Sequence, residues 1–252
     1  MSRRDFIDLN ADVGEGAGFD GELVPLVSSV NIACGAHAGD IETMRLTVAL
    51  ALRHGAAIGA HPGFPDREHF GRRELPMAAA DAAALVVDQT RLLQSVAGAL
   101  GARVGHVKLH GALYSMAARD AVVASAVVDA LLNAARQSGS EWTLVALAGS
   151  ELVRTARDRG QPVVGEAFAD RAYRRDGTLV PRSQPGAVIT DEGAAVEQAL
   201  QIAGEGMVRA DDGSAVPVDA ATICVHGDSP RAVSFARRIR GAFAAAGIAV
   251  RR

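Results

Sequence analysis

Short apolar runs recur along the chain, and nearly every one ends in a polar or ionisable cluster. Residues 6–10 run into Asp12 and Glu15, and residues 27–33 contain Asn31 and deliver Cys34 and His37. Residues 57–60 end at His61, while residues 104–110 carry His106, Lys108 and His110. Residues 163–165 end at Glu166, and residues 221–225 end at His226 and Asp228. Residues 143–148 differ, ending in Gly149-Ser150. Runs of this length between turn residues predict strands. Between them lie helical stretches with start and stop signals. Asp40 caps one that runs to His54 before Gly55; Pro76 precedes a long Ala-rich one through Leu100, closed by Gly101. Asp120 opens a third, to Gln137 with Gly139 beyond, and Ser150 a fourth that stops at Gly160-Gln161-Pro162. Asp191 opens a fifth, to Ala203, and Ser229-Pro230 a sixth that Gly247 ends. Cap residues before a helix and glycine after it are the expected punctuation.

Strands alternating with helices predict a parallel sheet, here an α/β barrel. In that architecture, side chains at the carboxyl ends of the strands converge on one site. No linker or shift in composition marks a second domain, so one barrel over residues 1–252 is expected. Two long connections, residues 62–75 and 167–188, break the rhythm, and loops of that length are functional or disordered. Residues 207–219, centred on Asp211-Asp212-Gly213-Ser214, read as a surface hairpin without chemistry.

Strand alternation places Asp8, Asn10 and Asp12 on one face, and His106, Lys108 and His110 on one face of another strand. A strand buried on both sides should be almost wholly apolar. Three polar groups in register must therefore face a cavity or one another. Lys108, flanked by Val107 and Leu109, sits mid-strand, where lysine requires a partner. It could hold a phosphate or carboxylate, or pair with Asp8 or Asp12. Lys108→Ala is expected to abolish turnover while the barrel stays folded. His61 and His110, at strand ends, are candidate acid–base groups. His54 and His69 are read as solvated.

Composition narrows the classes. The chain has 252 residues, 49% of them hydrophobic, enough for a large core. A net charge of −3 with interspersed signs, and only 4% aromatics, argues against a nucleic-acid partner. No apolar run approaches a membrane span of about 20 residues. Two cysteines give no disulfide framework, and the start of the chain does not read as a signal peptide, so a cytoplasmic location is expected. Cys34 is read as a small buried residue. Metal-ligand spacing is weak, with no His-x-x-x-His or Cys-x-x-Cys pair. Gly16-Ala17-Gly18-Phe19-Asp20-Gly21 fits G-x-G-x-x-G formally, but Glu15, Asp20 and Glu22 would repel a pyrophosphate. Arg171, Arg174, Arg175 and Arg182 form a candidate anion site in the second long loop.

Long strings carry a resemblance. Asp8-Leu9-Asn10-Ala11-Asp12-Val13-Gly14-Glu15, Asn31-Ile32-Ala33-Cys34-Gly35-Ala36-His37-Ala38-Gly39-Asp40 and Gly59-Ala60-His61-Pro62-Gly63-Phe64-Pro65-Asp66 resemble the LamB/YcsF family. So do His106-Val107-Lys108-Leu109-His110-Gly111-Ala112-Leu113-Tyr114, Glu166-Ala167-Phe168-Ala169-Asp170-Arg171 and Val225-His226-Gly227-Asp228. That family is the group of the bacterial 5-oxoprolinase A component. The resemblance implies an irregular seven-stranded (β/α) TIM-like barrel, similar to that of glycoside hydrolases and deacetylases. It also implies ATP-dependent hydrolysis of 5-oxo-L-proline to L-glutamate together with subunits B and C. ATP, alone or with Mg, would be the co-substrate. A five-membered lactam is a poor electrophile, so phosphorylating its carbonyl oxygen would let water attack. Lys108 would stabilise that oxygen, His61 or Asp12 serve as base, His110 as acid, and Arg171 clamp the substrate carboxylate. Asn10, Glu15, Asn31, His37, Glu166, His226 and Asp228 would bind substrate or nucleotide. Two other readings remain open: a metal-dependent amide hydrolase acting without ATP, and a binding component that holds substrate while its partners do the chemistry.

Overall fold

The computed structural model describes residues 5–225 and 231–252. Strands β1 (Phe6–Val13), β2 (Ser29–Ala33), β3 (Ala57–His61), β4 (His106–Lys108), β5 (Thr143–Leu147) and β6 (Val163–Phe168) pair in sequence order, all parallel. A hairpin of β7 (Met207–Arg209) and β8 (Ala215–Pro217) follows, and then β9 (Thr222–Val225), which pairs with both β6 and β1. That pairing closes a seven-stranded parallel barrel. A short β10 (Ala249–Val250) pairs with the first residues of β1. The expected TIM-like (β/α) barrel is the fold.

Helices α1 (Asp20–Leu23), α2 (Ile41–His54), α3 (Ala79–Ala99), α4 (Gly111–Arg119), α5 (Ala121–Ser138), α6 (Glu151–Asp158), α7 (Glu192–Glu205) and α8 (Ala232–Ala245) accompany the strands. The caps are where the sequence puts them. Asp40, Asp120, Ser150 and Asp191 each accept a hydrogen bond from a first-turn amide. Gly55 and Gly139 end α2 and α5 in left-handed conformation. The start signal Ser229-Pro230 lies outside the described residues. No helix among the described residues is long and apolar enough to cross a membrane.

Several boundaries differ from expectation. α3 begins at Ala79, three residues after Pro76. β6 continues through Phe168 because Glu166 has an interior cation as partner and need not reach the barrel rim. α4 is invisible to the sequence pattern, since it starts directly after a strand and ends at the cap of α5. The loop 167–188 is ordered by buried Tyr173, whose hydroxyl accepts from the Phe168 amide at 2.8 Å.

Alternation divides β1 cleanly. Ile7, Leu9, Ala11 and Val13 are buried in the apolar core, leaving Asp8, Asn10 and Asp12 for the barrel interior. The register then stacks polar groups in the lumen: Asp12 lies beside Asn31, Asn10 beside Cys224, and Gly59 beside His106. Gly59 is required there, because a Cβ would overlap the His106 ring. Gly59→Ala is expected to lower stability by about 1–3 kcal/mol through this overpacking, measured by urea unfolding.

Candidate active site

The barrel lumen is polar where most such barrels are filled with Val, Ile and Leu. At its lower end Asp8 accepts from Ser28, Ser29 and Thr222 hydroxyls, the last at 2.5 Å. Asn10 is the hub above it. Its amide donates to Glu166 at 3.0 Å and Thr222 at 2.7 Å, and its oxygen accepts from Asn31 at 2.8 Å and Lys108 at 3.3 Å. Asn31 also donates to Asp12 at 2.8 Å and accepts from His106 Nε2 at 2.9 Å. Arg252 reaches the other ring nitrogen of His106 from below. Every lumen side chain named here has a hydrogen-bond partner, which is what burial of polar groups demands.

Lys108 lies at the centre of this network, 2.9 Å from Asp12 Oδ1 and 2.8 Å from Glu166 Oε1, with Cys224 Sγ at 3.0 Å. Burial opposes its charge, but the Asp12 and Glu166 carboxylates outweigh that and hold its pKa well above the ordinary lysine value. Three N–H donors already face four acceptors. Lys108 has no donor left over for a phosphorylated oxygen in this arrangement. It fixes Asp12 instead. Burial and Asp12 push the Cys224 thiol up, so it stays neutral beside the lysine. Tyr114, on α4, donates to Glu166 Oε2 at 2.8 Å.

Above Lys108, at the carboxyl ends of the strands, the charge pattern changes. Glu15 from the turn after β1, His37 from the loop after β2, His61 at the end of β3 and His110 just after β4 present ligand atoms within 4.8 Å of one another. His61 Nε2 is 3.4 Å from Asp12 Oδ2 and 2.9 Å from His110 Nδ1. His37 stacks on His110, ring centroids 3.7 Å apart. Burial disfavours the His61 imidazolium, yet Asp12 outweighs it and raises the His61 pKa. Burial lowers that of His37, and burial with the neighbouring histidines depresses that of His110 strongly. The site thus holds one imidazole biased toward the proton beside two biased against it, a division suited to proton transfer. These four groups could also hold a metal ion.

The loop 62–75 roofs the cluster. Phe70 adopts φ 55°, and its carbonyl accepts from His110 Nε2 at 2.8 Å. Gly71, at φ 62°, is the next residue, where a Cβ would sit 2.9 Å from His37 Cβ. A bulky residue in left-handed conformation is strained, and such strain gathers at functional sites. Arg67 ties the loop to the carbonyls of Gly35, at 2.7 Å, and Gly39. Gln89 on α3 clasps both backbone groups of Gly63, at 3.1 and 2.8 Å.

The sequence-based candidates Asn10, Asp12, Glu15, Asn31, His37, His61, Lys108, His110 and Glu166 all converge in this lumen. Arg171 is placed differently. Its guanidinium donates to the Ala187 and Val180 carbonyls at 3.1 and 2.6 Å, bracing its own loop, and burial lowers its pKa to about 10. Those bonds use two of the five N–H donors of the guanidinium. His226 and Asp228 lie outside the described residues. His54 and His69 are exposed, as expected, and Cys34 is buried with its thiol pushed up to about 12 by desolvation. Sequence reasoning missed Tyr114, Gln89 and the Phe70 carbonyl. Tyr114 and Gln89 sit in ordinary helical patterns, and a backbone carbonyl leaves no signal in side-chain identity.

The sequence profile of the LamB/YcsF family matches residues 7–252. The chain belongs to that family. It is similar to the crystal structure of a lactam utilization protein from Thermus thermophilus, with 45% identity over 98% of this chain and 99% of that one, at a TM-score of 0.89. A deacetylase solved with substrate matches at 14% identity over 99% of this chain and 87% of that one, with a TM-score of 0.52. A chitinase from Ipomoea carnea matches at 12% over 93% of this chain and 99% of that one, with a TM-score of 0.51. The two distant matches establish the barrel fold that LamB/YcsF members share with deacetylases and glycosidases, and nothing of chemistry.

Proposed function

We propose that this chain opens a small lactam, 5-oxo-L-proline, to L-glutamate, as the A component of an ATP-dependent 5-oxoprolinase acting with subunits B and C. Family membership and the near-complete match to a lactam utilization protein support the reading. The observation that carries it is the pairing of Asp12 with His61, beside His110, at the carboxyl end of the barrel.

Asp12 and His61 form the general base that activates water, with Lys108 and Asn31 fixing the carboxylate. His61, protonated once it has taken the proton of water, passes it to the departing lactam nitrogen, and His110, whose Nδ1 lies 2.9 Å away, orients it. ATP contributes a phosphoryl group to the lactam oxygen and leaves as ADP, converting a stable amide into an electrophile. Water adds to that carbon, the ring C–N bond breaks, and phosphate is released with glutamate. The loop 62–75 excludes bulk water while the activated species waits.

The test is glutamate release from 5-oxo-L-proline by the purified chain, with and without ATP and with and without subunits B and C. Release that needs ATP and all three chains supports the proposal. ATP-independent release by the chain alone, lost on chelation, would overturn it in favour of a metal-dependent amide hydrolase. The Glu15, His37, His61 and His110 cluster is the observation that favours that second reading.

A further inference from the structure

We propose that His106 and Arg252 position Asp12 through a one-way chain of hydrogen-bond donors, a role that rests on reading Asp12 as part of the general base. The chain begins at the lower end of the barrel. Arg252 is exposed, but its guanidinium reaches inward and donates to His106 Nδ1. Asp8, at the same end, attracts that charge. His106 Nε2 lies 2.9 Å from Asn31 Oδ1, and the Asn31 amide nitrogen lies 2.8 Å from Asp12 Oδ1.

The chemistry of the two ends fixes the direction of every bond between them. A guanidinium has only donors, so His106 Nδ1 must offer a lone pair. An imidazole that accepts through Nδ1 is neutral and carries its hydrogen on Nε2. That hydrogen meets the Asn31 oxygen, which turns the Asn31 amide nitrogen toward Asp12. A carboxylate has only acceptors, so the far end agrees. The second Asn31 N–H goes to Asn10 Oδ1 at 2.8 Å, an oxygen that also accepts from Lys108 at 3.3 Å. Turning Asn31 over would set its oxygen against both Asn10 and Asp12. Moving the His106 hydrogen to Nδ1 would set it against Arg252 and leave two bare acceptors 2.9 Å apart. Burial and the Arg252 charge both lower the His106 pKa, which keeps the ring neutral. The ring is also confined, buried in the space beside Gly59 where any Cβ would overlap it. Bonds polarised in one sense strengthen one another. The result is a donor held on Asp12 Oδ1, which leaves Oδ2 for His61 at 3.4 Å. Without Arg252 the His106 hydrogen is free to occupy either nitrogen, and Asn31 loses its fixed sense.

The test reads the histidine tautomers of the full, nitrogen-15-labelled chain by NMR at neutral pH. Alongside, kcat and KM are measured for glutamate release with ATP and subunits B and C. Wild type should show His106 with a bare Nδ1 and its hydrogen on Nε2. Arg252→Leu, at matched melting midpoint, should move part of the population to the other tautomer. It should also lower kcat by about 3–10-fold, the worth of one ordinary hydrogen bond, and leave KM unchanged. Arg252→Lys keeps a donor-only group and should restore both readouts. Arg251→Leu, at the exposed neighbour, should change neither. A wild-type His106 with its hydrogen on Nδ1, or on both nitrogens, would overturn the proposal. So would an unchanged tautomer, an unchanged kcat or a loss confined to KM in Arg252→Leu, or an equal response to Arg251→Leu. If wild type releases no glutamate, the proposed reaction fails on its own, and the wild-type and Arg252→Leu tautomers decide the donor chain.

Discussion

Lys108→Ala is expected to lower the unfolding free energy by about 3–5 kcal/mol, the range for breaking a buried ion pair from one side. The lysine is 2% exposed and neutralises two carboxylates, Asp12 at 8% and Glu166 at 0% side-chain exposure. Without it, two buried negative charges are left without their cation. Urea or thermal unfolding measures the loss. Adding Glu166→Gln should recover part of it, because one stranded charge disappears while the Tyr114 and Asn10 hydrogen bonds can persist. This departs from the expectation drawn from sequence, that Lys108→Ala would leave the barrel folded. A lysine placed mid-strand reveals that it needs a partner, but not that it serves two.

Asp12→Asn is the cleaner probe of function, with an expected loss of about 100–10,000-fold in turnover, the usual worth of a positioned general base. The substitution keeps shape and hydrogen bonds. Oδ1 can remain an oxygen, still accepting from Lys108 and Asn31 at 2.9 and 2.8 Å. The new amide nitrogen then faces His61 Nε2. Glu166 continues to balance Lys108. A melting midpoint close to that of wild type is the accompanying expectation.

Much of this architecture was legible in the residues. Strand ends rich in His, Asp and Lys located the carboxyl edge, and the alternation of Asp8, Asn10 and Asp12 exposed a polar lumen. Asp40, Asp120, Ser150 and Asp191 marked helix starts because capping is local chemistry, decided within one turn. What stayed hidden depends on closure of the ring. Glu15, His37, His61 and His110 come from four successive strand ends, so no spacing motif announces that they meet. Spacing along the chain accordingly gives only a weak metal signal. Arg171 shows a different limit. An arginine in a long loop looks the same whether or not its guanidinium also ties carbonyls of that loop, as it does here. The length of β6 was missed because a glutamate reads as a strand end until its interior partner, Lys108, is in place.

The most direct measurement is the initial rate of glutamate release from 5-oxo-L-proline in the complete ATP-fuelled system, with only this chain varied between wild type and Asp12→Asn. At matched assembly and melting midpoint, the rate should fall by at least about 100-fold, which would locate the chemistry in this barrel. An undiminished rate would contradict that, and would move the reacting centre to one of the partner chains.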